Sequence, residues 1–192
     1  MDSNQITKIL SSNPYTNKIF QGCFPCNNLP NPVEGKALIV NLDPKGFAGS
    51  LWITIYVQRN EQAVYFDSLN LPTSICIIDS FLKDFSIVNR NLKPYQSLTS
   101  NYCAHHCISL IYFLSKGYTF PKYLKMLNNV HNPDLFVKNI VNKIINYRDN
   151  FWQYQHILDK DKRFFILGHH YIILKLTHDK VRQSSHHFPA RK

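Results

Sequence analysis

Short blocks of apolar residues in the first half of the chain have the pattern of β-strands. Residues 36–42 (KALIVNL) form a β-branched run, and residues 51–58 and 63–66 are two further runs separated by a polar turn. Runs of this length between turn residues are typical of buried strands. We therefore expect a strand and a β-hairpin, which form the centre of a small mixed or antiparallel sheet.

Elsewhere, apolar residues recur at helical spacing, which predicts amphipathic helices. The segments with this spacing are residues 3–11, 74–85, 101–115, 122–129 and 135–145. Ser3 is expected to cap the first helix, and Gly117 is expected to close helix 101–115 as its C′ glycine. The proline-rich residues 12–35 are interpreted as loop. The predicted fold class is α+β, with the sheet packed on helix 101–115.

The elements are expected to form one domain over residues 1–150. Residues 151–192 are interpreted as a basic C-terminal extension that packs in part on this domain, with residues 164–176 as a late strand pair. Hydrophobic residues make up 44% of the chain and aromatic residues 14%. This composition is sufficient for a packed core and excludes a disordered chain.

Positive charge is concentrated in the second half of the chain. Residues 1–100 contain eight Lys/Arg and seven Asp/Glu, whereas residues 101–192 contain fourteen and five. The asymmetry suggests an anionic partner, most simply nucleic acid. The alternative is a solvated basic surface without a partner. The lysines that recur on predicted helices and are candidates for phosphate contacts are Lys122, Lys125, Lys138 and Lys143.

The first residues, MDSNQ, lack the basic and apolar regions of a secretory signal, and no apolar run is long enough to span a bilayer. We expect a soluble intracellular protein that is not secreted and has no membrane partner. The five cysteines include the pairs Cys23–Cys26 and Cys103–Cys107, whose spacing is compatible with zinc. Cys107, however, falls on the apolar face of a predicted helix, where a cysteine is usually a small buried hydrophobe. No metal site is therefore predicted.

Three residues have the properties of a cysteine-protease site. Such a site needs a thiolate, a base, a group that orients the base, and donors for the oxyanion. Cys103 begins a predicted helix, where the helix dipole favours a thiolate. Asp67 follows a predicted strand and is the candidate orienting acid, and Gln96 is the candidate oxyanion donor. The base should precede Asp67, but the first histidine of the chain is His105.

These residues resemble the adenain-type cysteine endopeptidases of adenoviruses and Maverick/Polinton elements, which are related to ubiquitin-like-modifier proteases. The motifs that carry the resemblance are Gly49-Ser50-Leu51-Trp52, Tyr65-Phe66-Asp67-Ser68-Leu69, Gln96, Cys103-Ala104-His105-His106-Cys107, and the N-terminal Phe20-Gln21-Gly22 with Phe24-Pro25. The resemblance covers roughly residues 3–150. It implies a papain-like fold and maturation cleavage of virion proteins, in the host nucleus or the virion. Viral structural proteins are then the substrates or partners. No cofactor is required, although DNA or an activating peptide assists members of this family.

Two positions depart from the family pattern. Leu51 stands where the family has its histidine, and Ala104 stands where it has a glycine that lets a backbone N–H approach the oxyanion. Leucine cannot accept a proton, so the chain is predicted to be catalytically impaired. One alternative is an active endopeptidase with another base, although His105 and His106 lie on the wrong side of the helix for that role. The other alternative is a nucleic-acid-binding or virion-assembly module on a protease scaffold.

Overall fold

The structure is a computed structural model that describes residues 1–44, 51–72 and 76–160, with side chains described up to residue 146 except that of Cys76. The chain divides into two compact units, Met1–Asp149 and Asn150–Lys192. The elements are α1 (Ser3–Ser12), a 3₁₀ turn (Thr16–Lys18), β1 (Phe20–Pro25), β2 (Ala37–Asn41), β3 (Trp52–Val57), β4 (Gln62–Phe66), α2 (Cys76–Leu82), β5 (Ile87–Arg90), α3 (Cys103–Ser115), α4 (Phe120–Asn128) and α5 (Pro133–Lys160).

The five strands form one mixed sheet in the order β1-β2-β3-β4-β5. The three central strands β2, β3 and β4 pair antiparallel with one another, whereas the edge strands β1 and β5 pair in parallel with β2 and β4, respectively. The prediction of an α+β fold with a mixed sheet is therefore confirmed. Because β3 and β4 are antiparallel, the start of β3 and the end of β4 lie at the same end of the sheet.

Alternate residues of the strands point to opposite faces of the sheet and build separate parts of the core. Ala37 and Ile39 of β2 belong to the cluster that includes the α3 residues Cys107 and Ile108. Leu38 of β2 belongs instead to the cluster that includes residues of α2. The sheet is therefore covered on one face by α3 and on the other by α2, which makes α3 the central helix of the first unit.

The end of α3 shows how the sequence defines an element locally. Gly117 has φ +82°, and no atom lies within 4 Å of the position that a Cβ atom would occupy there. The N–H of Gly117 donates to the carbonyl of Leu114 at 2.9 Å, and the N–H of Tyr118 donates to the carbonyl of Phe113 at 3.0 Å. These two bonds define a Schellman motif, and the rings of Phe113 and Tyr118 pack against each other. The expected C′ role of Gly117 is confirmed.

Other local predictions were wrong. The cap of α1 is Asp2 rather than Ser3, because Asp2 accepts from the N–H of Gln5 and the Gln5 side chain accepts from the N–H of Asp2. Residues 20–25, interpreted as loop, form β1, and β5 was not predicted at all. The strand pair expected over residues 164–176 lies outside the described residues.

Candidate functional site

Cys103 is the first residue of α3 and is almost buried, with 7% of its surface exposed. It belongs to the hydrophobic cluster that includes Trp52 of β3 and Cys107 of the next helical turn. The cysteine is not in a disulfide. The predicted nucleophile position therefore lies at a helix N-terminus against the sheet, as the sequence led us to expect.

Leu51 precedes β3 directly and is half-buried. Its side chain packs against the same cluster that contains Cys103 and Trp52. Its carbonyl accepts a hydrogen bond from the N–H of Leu42 at 3.0 Å, which ties it to the end of β2. At the position where the resemblance requires an imidazole, the molecule has an apolar contact. Gly49 and Ser50 of the same motif lie outside the described residues.

Asp67 follows β4 and is 2% exposed. Both carboxylate oxygens accept backbone hydrogen bonds of 2.9 Å, Oδ1 from the N–H of Leu69 and Oδ2 from the N–H of Leu71. The Asn91 side chain binds the main chain of Asp67 on both sides, accepting from its N–H and donating to its carbonyl. The candidate orienting acid thus holds the loop that follows β4.

Gln96 is also buried, and both ends of its amide are engaged. Its Oε1 accepts from the Ser68 hydroxyl at 2.7 Å, and its Nε2 donates to the carbonyl of Ser100 at 2.9 Å. The N–H groups of Tyr95 and Gln96 both donate to the carbonyl of Ser68. Since Ser68 is the neighbour of Asp67, these bonds place Gln96 beside the loop that Asp67 holds.

The thiol of Cys107 connects helix α3 to strand β3. It donates to the carbonyl of Trp52 at 3.4 Å, and burial raises its pKa well above the usual value. The charges of Cys103, Asp67 and Cys23 raise the pKa of Cys107 further, so each of the three lies within electrostatic range of Cys107. Of the predicted positions, Leu51 and Cys103 thus share one apolar cluster, and Gln96 is bonded to Ser68 next to Asp67.

The two histidines that follow Cys103 have different surroundings. His106 is completely buried, and its Nε2 lies 2.9 Å from Oδ1 of Asp134 in the first turn of α5. Burial lowers the pKa of His106, while the hydrogen bond and charge of Asp134 act in the opposite direction. Burial also lowers the pKa of His105, to about 4, and the His105 ring packs edge-on against Tyr102. Both imidazoles are therefore neutral at neutral pH.

Asp134 was not identified from the sequence. It lies 28 residues after His106, and its other oxygen accepts from the N–H of Ser97 at 3.1 Å. The only signal for a special role is the Asn132-Pro133-Asp134 segment, which looks like an ordinary helix start. The pairing with His106 arises from the packing of α5 on α3, which no local pattern reports.

The four candidate lysines are all exposed: Lys122 and Lys125 on α4, and Lys138 and Lys143 on α5. Lys122 and Lys125 are three residues apart and share a face. Lys138 and Lys143 are five residues apart, so their directions differ by about 140°. The two lysines of α4 can therefore contact one ligand from the same face, whereas those of α5 point in different directions. The ammonium of Lys138 lies 5.9 Å from the centre of the Tyr102 ring, next to Cys103.

The cysteines of the zinc alternative do not meet at one place. Cys26 packs in the cluster on the α2 face of the sheet, whereas Cys103 and Cys107 pack on the α3 face. Among the side chains that the structure describes, no three or more of His, Cys, Asp or Glu are arranged to hold a metal ion. Across residues 1–44, 51–72 and 76–160, no helix is both long and apolar enough to cross a membrane.

Comparisons with known proteins add little to this geometry. No family model matches the sequence, and no curated protein matches it. Among solved structures, the chain is similar to the central domain of the uncharacterized Lpg1148 protein from Legionella pneumophila, with a TM-score of 0.46 and 14% identity. The match covers 78% of this chain and 98% of that domain. A TM-score this low does not define a shared fold, and the molecule is an α+β protein with a five-stranded mixed sheet.

Proposed function

We propose that the chain is an adenain-like cysteine-protease-family protein whose peptidase centre has lost its general base. The papain-like arrangement is supported by a cysteine at the N-terminus of the central helix and by Asp67 and Gln96 in adjoining loops. The observation that carries the proposal is the packing of Leu51 in the cluster that contains Cys103. In this proposal its partners are viral structural proteins, in the host nucleus or the virion, and no cofactor is required.

The chemistry follows from the groups that remain. The thiol of Cys103 must lose a proton before it can attack a peptide carbonyl, and Leu51 cannot accept that proton. Asp67 uses both oxygens to hold Leu69 and Leu71, and His106 is bound to Asp134. The site therefore retains the scaffold of a thiol protease without the imidazole that would make it turn over.

The test is to restore the base. Leu51→His should raise the cleavage rate of a fluorogenic peptide library by about 10²-fold or more, the usual contribution of a general base. Leu51→Asn is the matched control, because asparagine is polar but cannot act as a base near neutral pH. The double variant Leu51→His, Cys103→Ala should return to the background rate.

Two results would contradict the proposal. Robust cleavage by the unmodified protein, abolished by Cys103→Ala, would instead show an active endopeptidase with another base. A folded Leu51→His protein with no gain over Leu51→Asn would show that the surrounding residues are not a protease scaffold. In both cases a peptide-length vinyl sulfone probe provides a second readout, since it labels an activated thiol without requiring turnover.

A nucleic-acid-binding module is the second candidate function, and one surface favours it. The ammonium of Lys116 lies 2.9 Å from the ring centre of Tyr15 and 5.7 Å from that of Tyr112, and Lys122 lies 4.7 Å from that of Tyr118. We call these five residues the basic aromatic corner. Lysines can bind phosphates and tyrosines can stack on bases, which are the two requirements of a single-strand-binding surface.

Fluorescence anisotropy with random single-stranded and duplex DNA across a salt series tests this second function. Binding should weaken steeply as salt rises. Lys122→Ala should weaken binding for all sequences and reduce the salt slope by about one, as expected for the loss of one phosphate contact. Lys83→Ala is the matched control, because Lys83 is exposed and follows α2. Absence of binding at low salt would leave the basic residues as a solvated surface.

A further inference from the structure

Asp134 joins three separate parts of the chain. From the first turn of α5 it accepts from the Nε2 of His106 on α3 at 2.9 Å with one oxygen, and from the N–H of Ser97 at 3.1 Å with the other. His106 is fully buried, whereas the Asp134 side chain is 13% exposed and its hydrogen bond to Ser97 lies at the surface. Hydrogen bonds to an ionised carboxylate are among the stronger polar contacts in proteins, and the one from His106 is the better shielded of the two.

Ser97 lies in the segment that leads from β5 to Cys103, which we call the 91–102 loop. Three side chains anchor this loop: Asn91 to the main chain of Asp67, Gln96 to Ser68, and Asp134 to Ser97. Apolar packing contributes little in two places along the loop, since Leu92 is 92% exposed and Leu98 is 80% exposed. Apart from Tyr95, which packs in the core against Phe66, the loop around Ser97 is held by polar anchors.

We propose that Asp134, held by His106, is a positioning residue that fixes the 91–102 loop and thereby controls how far the Cys103 thiol is accessible to reagents. Gln96 adjoins Ser97, and the loop leads directly into Cys103 at the start of α3, so release of Ser97 loosens the segment that enters the helix at the thiol. The inference rests on Cys103 being the reactive position of the proposed function. Its test measures access to the thiol rather than peptide hydrolysis, so the two can fail separately.

The experiment is alkylation of the native protein by iodoacetamide at neutral pH, followed cysteine by cysteine with peptide mass spectrometry. The thiolate sulfur displaces iodide, and the thiol proton passes to the solvent. Asp134→Ala loses both hydrogen bonds and should accelerate alkylation of Cys103 by about 5–30-fold. Cys26 is buried on the α2 face of the sheet, and Cys107 is buried one turn further along α3; both should keep their slow rates because the opening is local.

Two further variants sharpen the result. Asparagine at position 134 can accept from the N–H of Ser97 and donate to the Nε2 of a neutral His106, so Asp134→Asn should alkylate close to the unmodified rate. Asn139→Ala, an exposed substitution on the same helix, should have no effect. An unchanged Cys103 rate in Asp134→Ala would overturn the proposal, as would equal acceleration of Cys26 and Cys107 or an Asp134→Asn rate as fast as that of the alanine variant.

One measurement needs no variant and applies even if Asp134→Ala fails to fold. Amide hydrogen exchange should show that the N–H of Ser97 is protected, although its neighbour Leu98 is largely exposed. Exchange of Ser97 at the rate of an open loop would show that Asp134 does not hold this segment, and would overturn the proposal.

Discussion

Replacing Asp67 by alanine should destabilise the protein, although the resemblance assigns this residue to catalysis. The substitution removes the carboxylate that accepts 2.9 Å hydrogen bonds from the N–H groups of Leu69 and Leu71. A hydrogen bond to a charged group contributes about 1.5–3 kcal/mol. Leu71 is exposed, so water can replace part of its bond, whereas Leu69 is half-buried. We expect the free energy of unfolding to fall by about 2–4 kcal/mol.

Urea denaturation followed by tryptophan fluorescence measures this change, because Trp52 lies in the core against α3. Asp84→Ala is the matched control, since it also removes an aspartate carboxylate, but from an exposed position. It should change the free energy of unfolding by no more than about 0.5 kcal/mol. Equal stability of Asp67→Ala and Asp84→Ala would refute the reasoning, because it would mean that the carboxylate does not hold its loop.

The remaining predictions concern the end of α3 and the response to acid. Gly117→Ala places an alanine at φ +82° in open space, so denaturation should show a loss of about 1–2 kcal/mol from backbone strain alone. Burial lowers the pKa of His106 and lowers that of His105 to about 4, below the usual 6.5. As the pH falls, the histidines of the unfolded chain are protonated before those of the folded protein. Their contribution to the free energy of unfolding should therefore be constant above pH 6.5 and fall between about pH 6.5 and 4. His105→Asn should reduce the slope of stability against pH in this range, and an unchanged slope would contradict the assignment.

The centre of the fold could be predicted because each element there has its own local signal. The β-branched run of β2 and the apolar periodicity of α3 are sufficient to define those elements, and Gly117 marks where α3 ends. The edge strands have no comparable signal. β1 contains Gly22 at φ +150° and ends at Pro25, and β5 is a four-residue strand whose residues are mostly exposed. Both become strands because β2 and β4 offer free hydrogen-bonding edges, which is a property of the assembled sheet.

The candidate site was predictable in its residue types and not in its hydrogen bonds. Cys103 at a helix start and Asp67 after a strand follow from position in the chain. The hydrogen-bond partners of Asp67 and Gln96 depend on the conformation of the loops. Gln96, for example, accepts a 2.7 Å hydrogen bond from Ser68, which is 28 residues away in the chain. Sequence spacing cannot report which amide a carboxylate accepts from. It therefore could not show that Asp67 and Gln96 are engaged by their own loops.

The hydrogen-bonded side chains of Asp67 and Gln96 and the apolar residue at position 51 both favour a stable arrangement of this region. Catalytic sites commonly hold groups away from their most stable arrangement, and the stability of the surrounding structure offsets the cost. Here both oxygens of Asp67 and both ends of the Gln96 amide have protein partners, and Leu51 adds apolar contact to the core next to Cys103. An imidazole at position 51 would exchange that contact for a polar group that needs its own partner, while the carboxylate of Asp67 is already bound. In the proposed function, the apolar contact that Leu51 adds to the core comes from the same substitution that removes the base of the thiol.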